Sequence, residues 1–543
     1  VAQQYLEMDP WVVREKGFHK SRARVSESLF ALGNEFMGVR GYFDEGFSGE
    51  TERGSFFNGI FEDEDTVHPA PHIGLADRCH FMANSVDWLY ARIVVDREQL
   101  DLATSKVSQF ERILNMRDGT LYRSFVWTTK KGKKIRVTFD RFTSMVDANL
   151  GGQRITLEAL NFSGPAHMTM GLDFNPVQHT RDDRKVWPTV QTRTSGKVLA
   201  VVGQTERTGH RAFSSMHLKA PKGVTPVLAK CDRTIAYEMK LALAEGTPVS
   251  VDKMVVNTVE KNTRVQMATF WKRGLEMARA HAKTTYDVAL EEHMGYWHDQ
   301  WAMLDIEIDG NDEDQQAVRF CIYHLNQIKR GVDPDLNIAA KGLSGEDYEG
   351  HTWWDTETYC LPFYLFNNPK AARDLLVWRH TRLPQARDRA QEKDCVGACY
   401  PMDTIDGTES SRSWQNGDLE IHVPAAVAFA IDHYERITQD TSLVYNEGIE
   451  ILMEVSRYYA SRGAFRPDGQ YGFWCVVGPD EFHFAVNNNY YTNLLAQKTF
   501  DYTLKVMADM KKAAPAKLKA VCKKIGLDAA EPKSWKKMSE NMI

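Results

Sequence analysis

The first half of the chain alternates hydrophobic and polar residues in the manner of β-strands. Between residues 135 and 140 the alternation is strict, and a Lys-Lys-Gly turn separates this run from the aromatic run before it. That pattern is typical of a β-hairpin. The stretches 196–205 and 247–259 repeat it, with β-branched residues bounded by glycine, proline and threonine. Many such strands over about 265 residues predict a large antiparallel sandwich.

The periodicity changes near Thr269. Between Tyr286 and Trp301 large side chains recur at helical spacing, and residues 305–308 then resemble a short strand. Beyond Asp312 the segments are helical and are separated by loops rich in glycine, aspartate and asparagine. The predicted helices include 315–329, 370–391, 423–437, 443–462 and 493–510. A β half followed by paired helices predicts a helical toroid whose function lies in the loops that join the helices.

Composition and charge exclude several classes of partner. The chain has 67 basic and 73 acidic residues, so its net charge of −6 provides no basic field for nucleic acid. No apolar stretch approaches the ~20 residues that cross a bilayer. We therefore expect neither nucleic acid nor a membrane as a partner.

The eight cysteines do not form a metal or disulfide pattern. None makes a C-x-x-C pair, which favours free thiols in a reducing cytoplasm. No histidine pair at i, i+4 beside a glutamate indicates zinc, so we expect no metal. The glycine-rich stretch 33–41 lacks the strand–helix frame of a dinucleotide site, and we expect no cofactor.

Three junctions in the helical half concentrate aromatic and polar residues, at 341–363, 413–424 and 471–493. Each has an ordinary structural explanation as a helix cap, a dipole partner or a solvated turn. Their recurrence in one half of the chain instead indicates a sugar-binding cleft, because rings, carboxylates and amides are what such a cleft requires. The candidate residues are Trp354, Asp355, Trp414, Glu420 and Glu481.

Four stretches resemble the inverting α-glucoside phosphorylases of glycoside hydrolase family 65. They are 26–46, 341–357, 400–410 and 478–493, in the order that the family has them. The wording of "EMDPW", "DEGFSGET" and "YCLPFYL" is closest to the maltose phosphorylase branch. The resemblance implies an α+β multidomain protein. Its parts would be a β-super-sandwich over 1–268, a helical linker over 269–305 and a catalytic (α/α)6 barrel over 306–543.

The resemblance also assigns roles to the candidate residues. It makes Glu481 the general acid that protonates the glycosidic oxygen, and we expect burial in a ring-lined cleft to raise its pKa. Trp354 and Asp355 would hold the non-reducing glucose. Glu420 would lie near the leaving sugar, and Trp414, in the same stretch, is predicted to bind substrate.

The implied reaction converts maltose and inorganic phosphate to β-D-glucose 1-phosphate and D-glucose with inversion. Phosphate is then a co-substrate and attacks the anomeric carbon itself. The family's phosphate-binding segment follows beyond residue 543. Periodicity allows about seven or eight of the barrel's helices and predicts that the chain stops within a helix, so we expect a barrel truncated at residue 543.

Several alternatives stay open. Phe482 replaces the family's usual tyrosine, and "GHTWWDTE" differs from the wording of maltose enzymes, so the substrate could be nigerose, kojibiose or trehalose. An inverting hydrolase of the same fold and a non-catalytic carbohydrate-binding protein are the further alternatives. We expect a cytoplasmic homodimer.

Overall fold

The computed structural model describes residues 5–67 and 73–543 and divides into two compact units. The sandwich unit comprises the described residues up to Glu62, with Met82–Ile328 and Lys341–Tyr348. The helical unit comprises the described residues of 63–81, with Lys329–Ala340 and Glu349–Ile543. The predicted boundaries at residues 268 and 305, between sandwich, linker and catalytic parts, remain a prediction.

Two antiparallel sheets form the sandwich unit. The larger has ten strands, in spatial order Leu6–Glu7, Val12–Lys16, Lys106–Asn115, Thr120–Thr128, Lys134–Thr143, Leu150–Ala159, Pro248–Glu260, Arg211–Lys219, Val198–Gln204 and Thr189–Ser195. The smaller has five, in the order Val227–Cys231, Thr234–Leu243, Gly164–Asp173, Ala91–Val95 and Glu98–Gln99. Shorter strands are Leu32–Gly33, Met37–Val39, Ser55–Phe57, Phe61–Asp65 and Arg78–Met82.

The two sheets face each other across one apolar core. Because side chains alternate across a strand, each sheet turns one set of residues inward. The buried residues include Ile135, Val137 and Phe139 from the larger sheet, and Met168, Met170 and Leu241 from the smaller. The predicted hairpin is confirmed: Thr120–Thr128 pairs with Lys134–Thr143, and Gly132 turns the chain at φ 81°.

Helices cover the outer face of the larger sheet. In Met267–Ala280, Phe270 and Trp271 pack against Phe213 of the sheet. In Tyr286–Leu304, Thr285 caps the first turn by accepting from the Val288 N–H. The other helices of the unit are Lys20–Arg22, Ala23–Leu29, His179–Arg181 and Asp312–Ile328. Residues 305–308 are not a strand, so that prediction is wrong: the segment leaves the helix C-cap without a partner strand.

Buried ion pairs explain the acidic end of the stretch 26–46. Arg123 contacts Glu45 at 2.5 Å and Asp44 at 3.2 Å, and Arg141 contacts Asp44 at 3.3 Å. Burial opposes the charged form of Asp44, but the two guanidinium groups lower its pKa below the usual value. This part of the family motif therefore pairs with arginines on two neighbouring strands of the larger sheet.

The helical unit consists of helices that pack in pairs. Its helices are Leu361–Asn367, Pro369–Thr381, Leu383–Glu392, Trp414–Leu419, Val423–Thr438, Thr441–Leu443, Ile449–Arg462, Tyr490–Ala513, Pro515–Ile525 and Glu531–Glu540, with π-helical turns at Thr356–Cys360 and Val444–Gly448. Asp347–Gly350 is a 3₁₀ turn, and Ala464–Phe465 pairs with Tyr471–Gly472 as a short hairpin. No helix in residues 5–67 and 73–543 combines the length and apolar character needed to cross a membrane.

Two helix predictions need correction. The predicted helix 370–391 is divided into Pro369–Thr381 and Leu383–Glu392, because Pro384 lacks an N–H and its ring excludes the carbonyl one turn earlier. The expectation that the chain stops within a helix is also wrong. The last helix ends at Glu540, and the Ile543 N–H donates to the Tyr471 carbonyl at 2.9 Å.

The close approach of Gly38 to Leu343 gives a test of the sandwich unit. A Cβ on Gly38 would lie 2.3 Å from the Leu343 Cβ, so Gly38→Ala should destabilise the unit by about 1–3 kcal/mol. Gly295→Ala is the matched control, because Gly295 lies in a helix with open space around it. We expect that control to be neutral or to stabilise by up to about 1 kcal/mol. Urea unfolding measures both, and equal effects would contradict the packing.

Candidate active site

A loop at residues 478–489, here called the acid loop, carries the predicted general acid. The segment before it is buried at Phe473, Val476 and Val477, and a bridge between Val476 and Val486 closes the base of the loop. Asp480 has a local role, because its carboxylate accepts from the Phe482 N–H at 3.2 Å. The Asp480 side chain therefore shapes the acid loop.

The asparagine run 487–489 ties the acid loop to its neighbours. Each asparagine accepts a backbone N–H through its side-chain oxygen: Asn487 from Cys475 at 3.1 Å, Asn488 from Phe473 at 3.2 Å and Asn489 from Thr492 at 3.1 Å. The last of these caps the helix Tyr490–Ala513. The asparagine run therefore has a structural role in holding the acid loop.

Glu481 is exposed in the acid loop, with Phe482 beside it 97% exposed. The expectation that Glu481 is buried is therefore wrong. The apolar run is buried as predicted, but the Gly-Pro turn that follows it carries the carboxyl group outward.

Trp354 and Asp355 stand at the start of a π-helical turn, Thr356–Cys360. The Trp354 ring is 8% exposed and meets His422 edge-on, with 4.8 Å between the ring centroids. Tyr491 lies on the same ring cluster, 6.1 Å from Trp354. Asp355 is accessible to solvent. The turn thus presents one buried ring and one accessible carboxylate side by side.

A buried ion pair fixes this turn. Arg379 binds Glu357 through two hydrogen bonds of 2.7 and 2.8 Å, and both side chains are inaccessible to solvent. Arg379 also donates to the Trp353 carbonyl at 3.4 Å. Sequence reasoning missed the pair, because nothing local marks an arginine 22 residues away as the partner. The bidentate geometry fixes the backbone next to Asp355.

Glu420 and His422 form a buried, uncharged pair. Glu420 is 6% exposed, and its Oε1 has no hydrogen-bond partner among the described residues. Burial, followed by the charge of Glu481, raises the pKa of Glu420 to about 8. Burial lowers the pKa of His422 to about 4, so the ring 3.7 Å from Glu420 is neutral at pH 7. Glu420 therefore retains a proton at neutral pH.

Three carboxyl groups converge on the acid loop without a cation; we call Asp355, Glu420 and Glu481 the carboxylate trio. Partial desolvation, Glu357 and Glu481 raise the pKa of Asp355 above its usual value. Glu481 thus acts electrostatically on both other members. In residues 5–67 and 73–543 no lysine or arginine lies within ion-pair distance of the trio. Asp355 and Glu420 therefore favour their protonated forms.

Trp414 lies at the edge of the acid loop. It begins the helix Trp414–Leu419 and meets the Phe484 ring edge-on at 5.9 Å. Both rings are exposed. The structure therefore brings all five predicted residues to the acid loop and its immediate neighbours, and it adds His422, Phe484 and Tyr491.

Two buried acids behind Glu420 come from the motif 400–410. Glu409 accepts the Met402 N–H at 3.0 Å and lies 3.4 Å from the Arg389 guanidinium. Asp403 lies 3.2 Å from a ring nitrogen of His351. Both acids add to the rise in the pKa of Glu420. Their spacing in the motif was visible in the sequence, but their burial was not.

One group of side chains in the described part of the chain has the spacing of a metal site: Cys79, Glu349 and His351. The Arg412 guanidinium lies 3.2 Å from the Cys79 sulfur, and the His351 Nε2 lies 2.7 Å from the His80 carbonyl. Burial also raises the pKa of Cys79 to about 12, which keeps the thiol protonated. A cation already contacts the thiol and the imidazole already has a partner, so we assign no metal here.

Two regions of the sequence match two domains of one enzyme family. Residues 13–300 match the N-terminal domain of glycosyl hydrolase family 65, and residues 319–543 match its central catalytic domain. The chain belongs to glycosyl hydrolase family 65. The candidate active site lies within the second match.

Family relatives differ in the disaccharide that their names specify. An α,α-trehalose phosphorylase of Thermoanaerobacter brockii is 31% identical over 98% of this chain and 71% of its own length. A kojibiose phosphorylase of Halothermothrix orenii is 31% identical over 98% and 70%. A maltose phosphorylase of Bacillus subtilis is 30% identical over 93% and 67%. A solved structure, provisionally assigned as a kojibiose phosphorylase from the human microbiome, superposes with TM-score 0.94 at 33% identity over 100% of this chain and 71% of its own.

The raised pKa of Glu420 makes stability depend on pH in a defined direction. A carboxyl group whose pKa is higher in the folded state binds more protons there, so stability falls as pH rises from about 4.5 to about 8. Glu420→Gln removes this loss. We expect the variant to gain about 1–3 kcal/mol over the parent between pH 5 and pH 9. Urea unfolding at the two pH values measures the gain, and a pH-independent difference would contradict a protonated Glu420.

Proposed function

We propose that the protein is an inverting disaccharide phosphorylase that cleaves an α-glucoside with inorganic phosphate. Maltose is the first candidate substrate, from the motifs of its branch, and the trehalose and kojibiose enzymes among the relatives make those sugars the next. The observation that carries the proposal is the carboxylate trio beside exposed aromatic rings, in a chain of this family.

The two sides of the acid loop suit the two halves of a disaccharide. On one side, Trp354 and Asp355 offer a ring for a sugar face and a carboxylate for its hydroxyl groups. We assign the non-reducing glucose to this side. On the other, Trp414 and Phe484 provide exposed rings near Glu420, and we assign the leaving sugar there.

In the proposed reaction Glu481 takes up a proton as the disaccharide covers it and gives that proton to the glycosidic oxygen. The bond between that oxygen and the anomeric carbon breaks, and the leaving sugar departs as a neutral alcohol. A phosphate oxygen forms the new bond to the anomeric carbon from the opposite face. Glu420 holds its own proton close by, so the leaving sugar meets a hydrogen-bond donor rather than a second negative charge.

An inverting hydrolase is the second candidate, because the carboxylate trio contains carboxyl groups besides the general acid. Inverting glycosidases pair a general acid with a carboxylate base that activates water. Asp355 or Glu420 offers such a base once it is deprotonated. The phosphorylase needs no base, since phosphate is itself the nucleophile.

The remaining proposals rest on the family resemblance. We propose that the helical unit belongs to an (α/α)6 barrel and that 1–268, 269–305 and 306–543 act as sandwich, linker and catalytic parts. We also propose a homodimer in the cytoplasm that uses inorganic phosphate and no cofactor.

NMR of the products tests the reaction class. The full-length enzyme, given maltose, kojibiose, trehalose or nigerose with phosphate, should form β-D-glucose 1-phosphate and one free sugar from its substrate. Without phosphate, turnover should stop. Release of glucose at a rate indifferent to phosphate would support the hydrolase, and the α-anomer of the phosphate ester would exclude inversion.

Glu481→Gln tests the general acid. Loss of the transferable proton should lower kcat by about a hundredfold to ten-thousandfold, while the Kd for disaccharide changes little. Asp480→Asn is the matched control, because it keeps an oxygen that can accept the Phe482 N–H and should lose far less activity. Near-normal turnover of Glu481→Gln would remove Glu481 from the mechanism.

A further inference from the structure

A cavity in the sandwich unit is lined by the part of the stretch 42–53 that the buried ion pairs do not explain. Its volume is about 330 Å³, at the lower end of the range for small-molecule sites. Its lining includes rings, a glycine, a hydroxyl group and two guanidinium groups, from Phe43, Phe47, Gly46, Thr51, Arg53 and Arg92. The described lining residues all belong to the sandwich unit, and none is a member of the carboxylate trio.

The Phe47 ring gives this cavity an apolar wall. Phe43 and Phe18 pack edge-on against it, with 5.1 and 5.9 Å between the ring centroids. Phe43 is buried, whereas Phe47 is only half-buried and lines the cavity. A ring that its neighbours hold in place and that is partly open offers a surface to the C–H groups of a ligand.

Arg92 brings a positive charge to the cavity that no carboxylate balances. The strand Ala91–Val95 turns Ala91 into the core, so alternation places Arg92 on the other face. One guanidinium nitrogen donates to the Ala91 carbonyl at 2.6 Å, and the group lies 4.4 Å from the centre of the Tyr90 ring. Among the described residues no aspartate or glutamate is within ion-pair distance of Arg92, and its other N–H groups have no partner. Those donors can bind an anion.

Gly46 provides the space in which the Arg92 guanidinium lies. The φ angle of Gly46 is 88°, in the left-handed region that favours glycine. A Cβ at this position would lie 2.9 Å from the Arg92 Cζ. A larger residue here would therefore push the guanidinium aside.

The charges behind the cavity balance one another. Arg53 lies 3.1 Å from Asp87 and 3.8 Å from Asp173, and both acids are buried. Burial raises the pKa of Asp87 and lowers that of Lys253, the other base near it, to about 7. Whether Asp87 and Lys253 are both charged or both neutral, the charges of these four groups sum to zero. The unbalanced guanidinium at the cavity is that of Arg92.

We propose that this cavity binds a phosphate monoester of a sugar, with the phosphate on Arg92 and a C–H face of the sugar on Phe47. A guanidinium group binds phosphate oxygens through paired N–H donors. Thr51 and His179, whose Nδ1 is 3.0 Å from Asp183, supply further polar groups for the sugar hydroxyls. The choice of an anion rests on Arg92, and the choice of a sugar rests on the proposed function.

¹⁹F NMR of the full-length enzyme with 4-fluorophenylalanine at position 47 tests the site, because the label lies in the cavity wall. Glucose 6-phosphate and β-D-glucose 1-phosphate are the probes, and glucose and inorganic phosphate are the comparisons. We expect a saturable shift of the signal with at least one sugar phosphate. Its Kd should be at least about tenfold lower than that of either comparison, because only the ester engages both the ring and the guanidinium.

Arg92→Gln in the labelled enzyme removes the charge and should raise this Kd by about tenfold to a hundredfold, as expected for the loss of a charge-assisted hydrogen bond. Arg97→Gln is the matched control. Arg97 is exposed in the turn that follows the same strand and does not line the cavity, so the control should leave the Kd unchanged.

Three results would overturn the inference: no saturable shift with either sugar phosphate, equally tight binding of glucose or inorganic phosphate, or an unchanged Kd in Arg92→Gln. Should Arg92→Gln not fold, a crystal structure of the parent with glucose 6-phosphate decides, since a phosphate on Arg92 supports the site and an empty cavity overturns it. The readout needs no turnover. A hydrolase that binds sugar phosphates here would overturn the proposed function alone, and a phosphorylase without the shift would overturn this inference alone.

Discussion

Three carboxyl groups gathered around one loop, with no cation in the described part of the chain to balance them, are the constraint on which the candidate active site depends. Asp355 and Glu420 are both influenced by Glu481, and both have a raised pKa. Nearby like charges disfavour ionisation, so Asp355 and Glu420 hold their protons more tightly than isolated carboxyl groups do.

Such an arrangement needs a scaffold that holds the acids in place. The buried pair of Glu357 and Arg379 fixes the turn that carries Asp355, and the asparagine run ties the acid loop to the apolar segment before it. Glu420 ends a short helix whose cap is Ser413. The buried acid of the scaffold, Glu357, is thus paired with an arginine. The carboxyl groups of the trio lack such a partner, and we assign them to the side that binds sugar.

Local patterns were sufficient for much of the fold. The hairpin around Gly132 and the helix from Val423 follow from turn chemistry, alternation and an N-terminal proline, all of which act over a few residues. The division of 370–391 at Pro384 was readable by the same rules and was missed. Family motifs identified Glu481 and Trp354. In the structure Glu481 lies in the acid loop, and Trp354 lies beside Tyr491, just after that loop.

Burial and long-range pairing could not be predicted in that way. Glu481 was expected inside and is exposed, while Glu420 carries the strongly raised pKa instead. Arg379 pairs with Glu357 and His351 with Asp403 because segments far apart in sequence pack together. No sequence periodicity indicates that packing. Proton affinity in this site is a property of the folded cluster and not of any one motif.

The central claim is that Glu420 is kept protonated by burial and by the charge of Glu481. A ¹³C NMR titration of carboxyl-labelled glutamate, assigned with Glu420→Gln, measures this directly in the parent enzyme and in Glu481→Gln. The account predicts a Glu420 carboxyl that titrates near pH 8 in the parent and at a lower pH once the charge of Glu481 is removed. A Glu420 that titrates near 4.5, or one that is indifferent to Glu481, would contradict it.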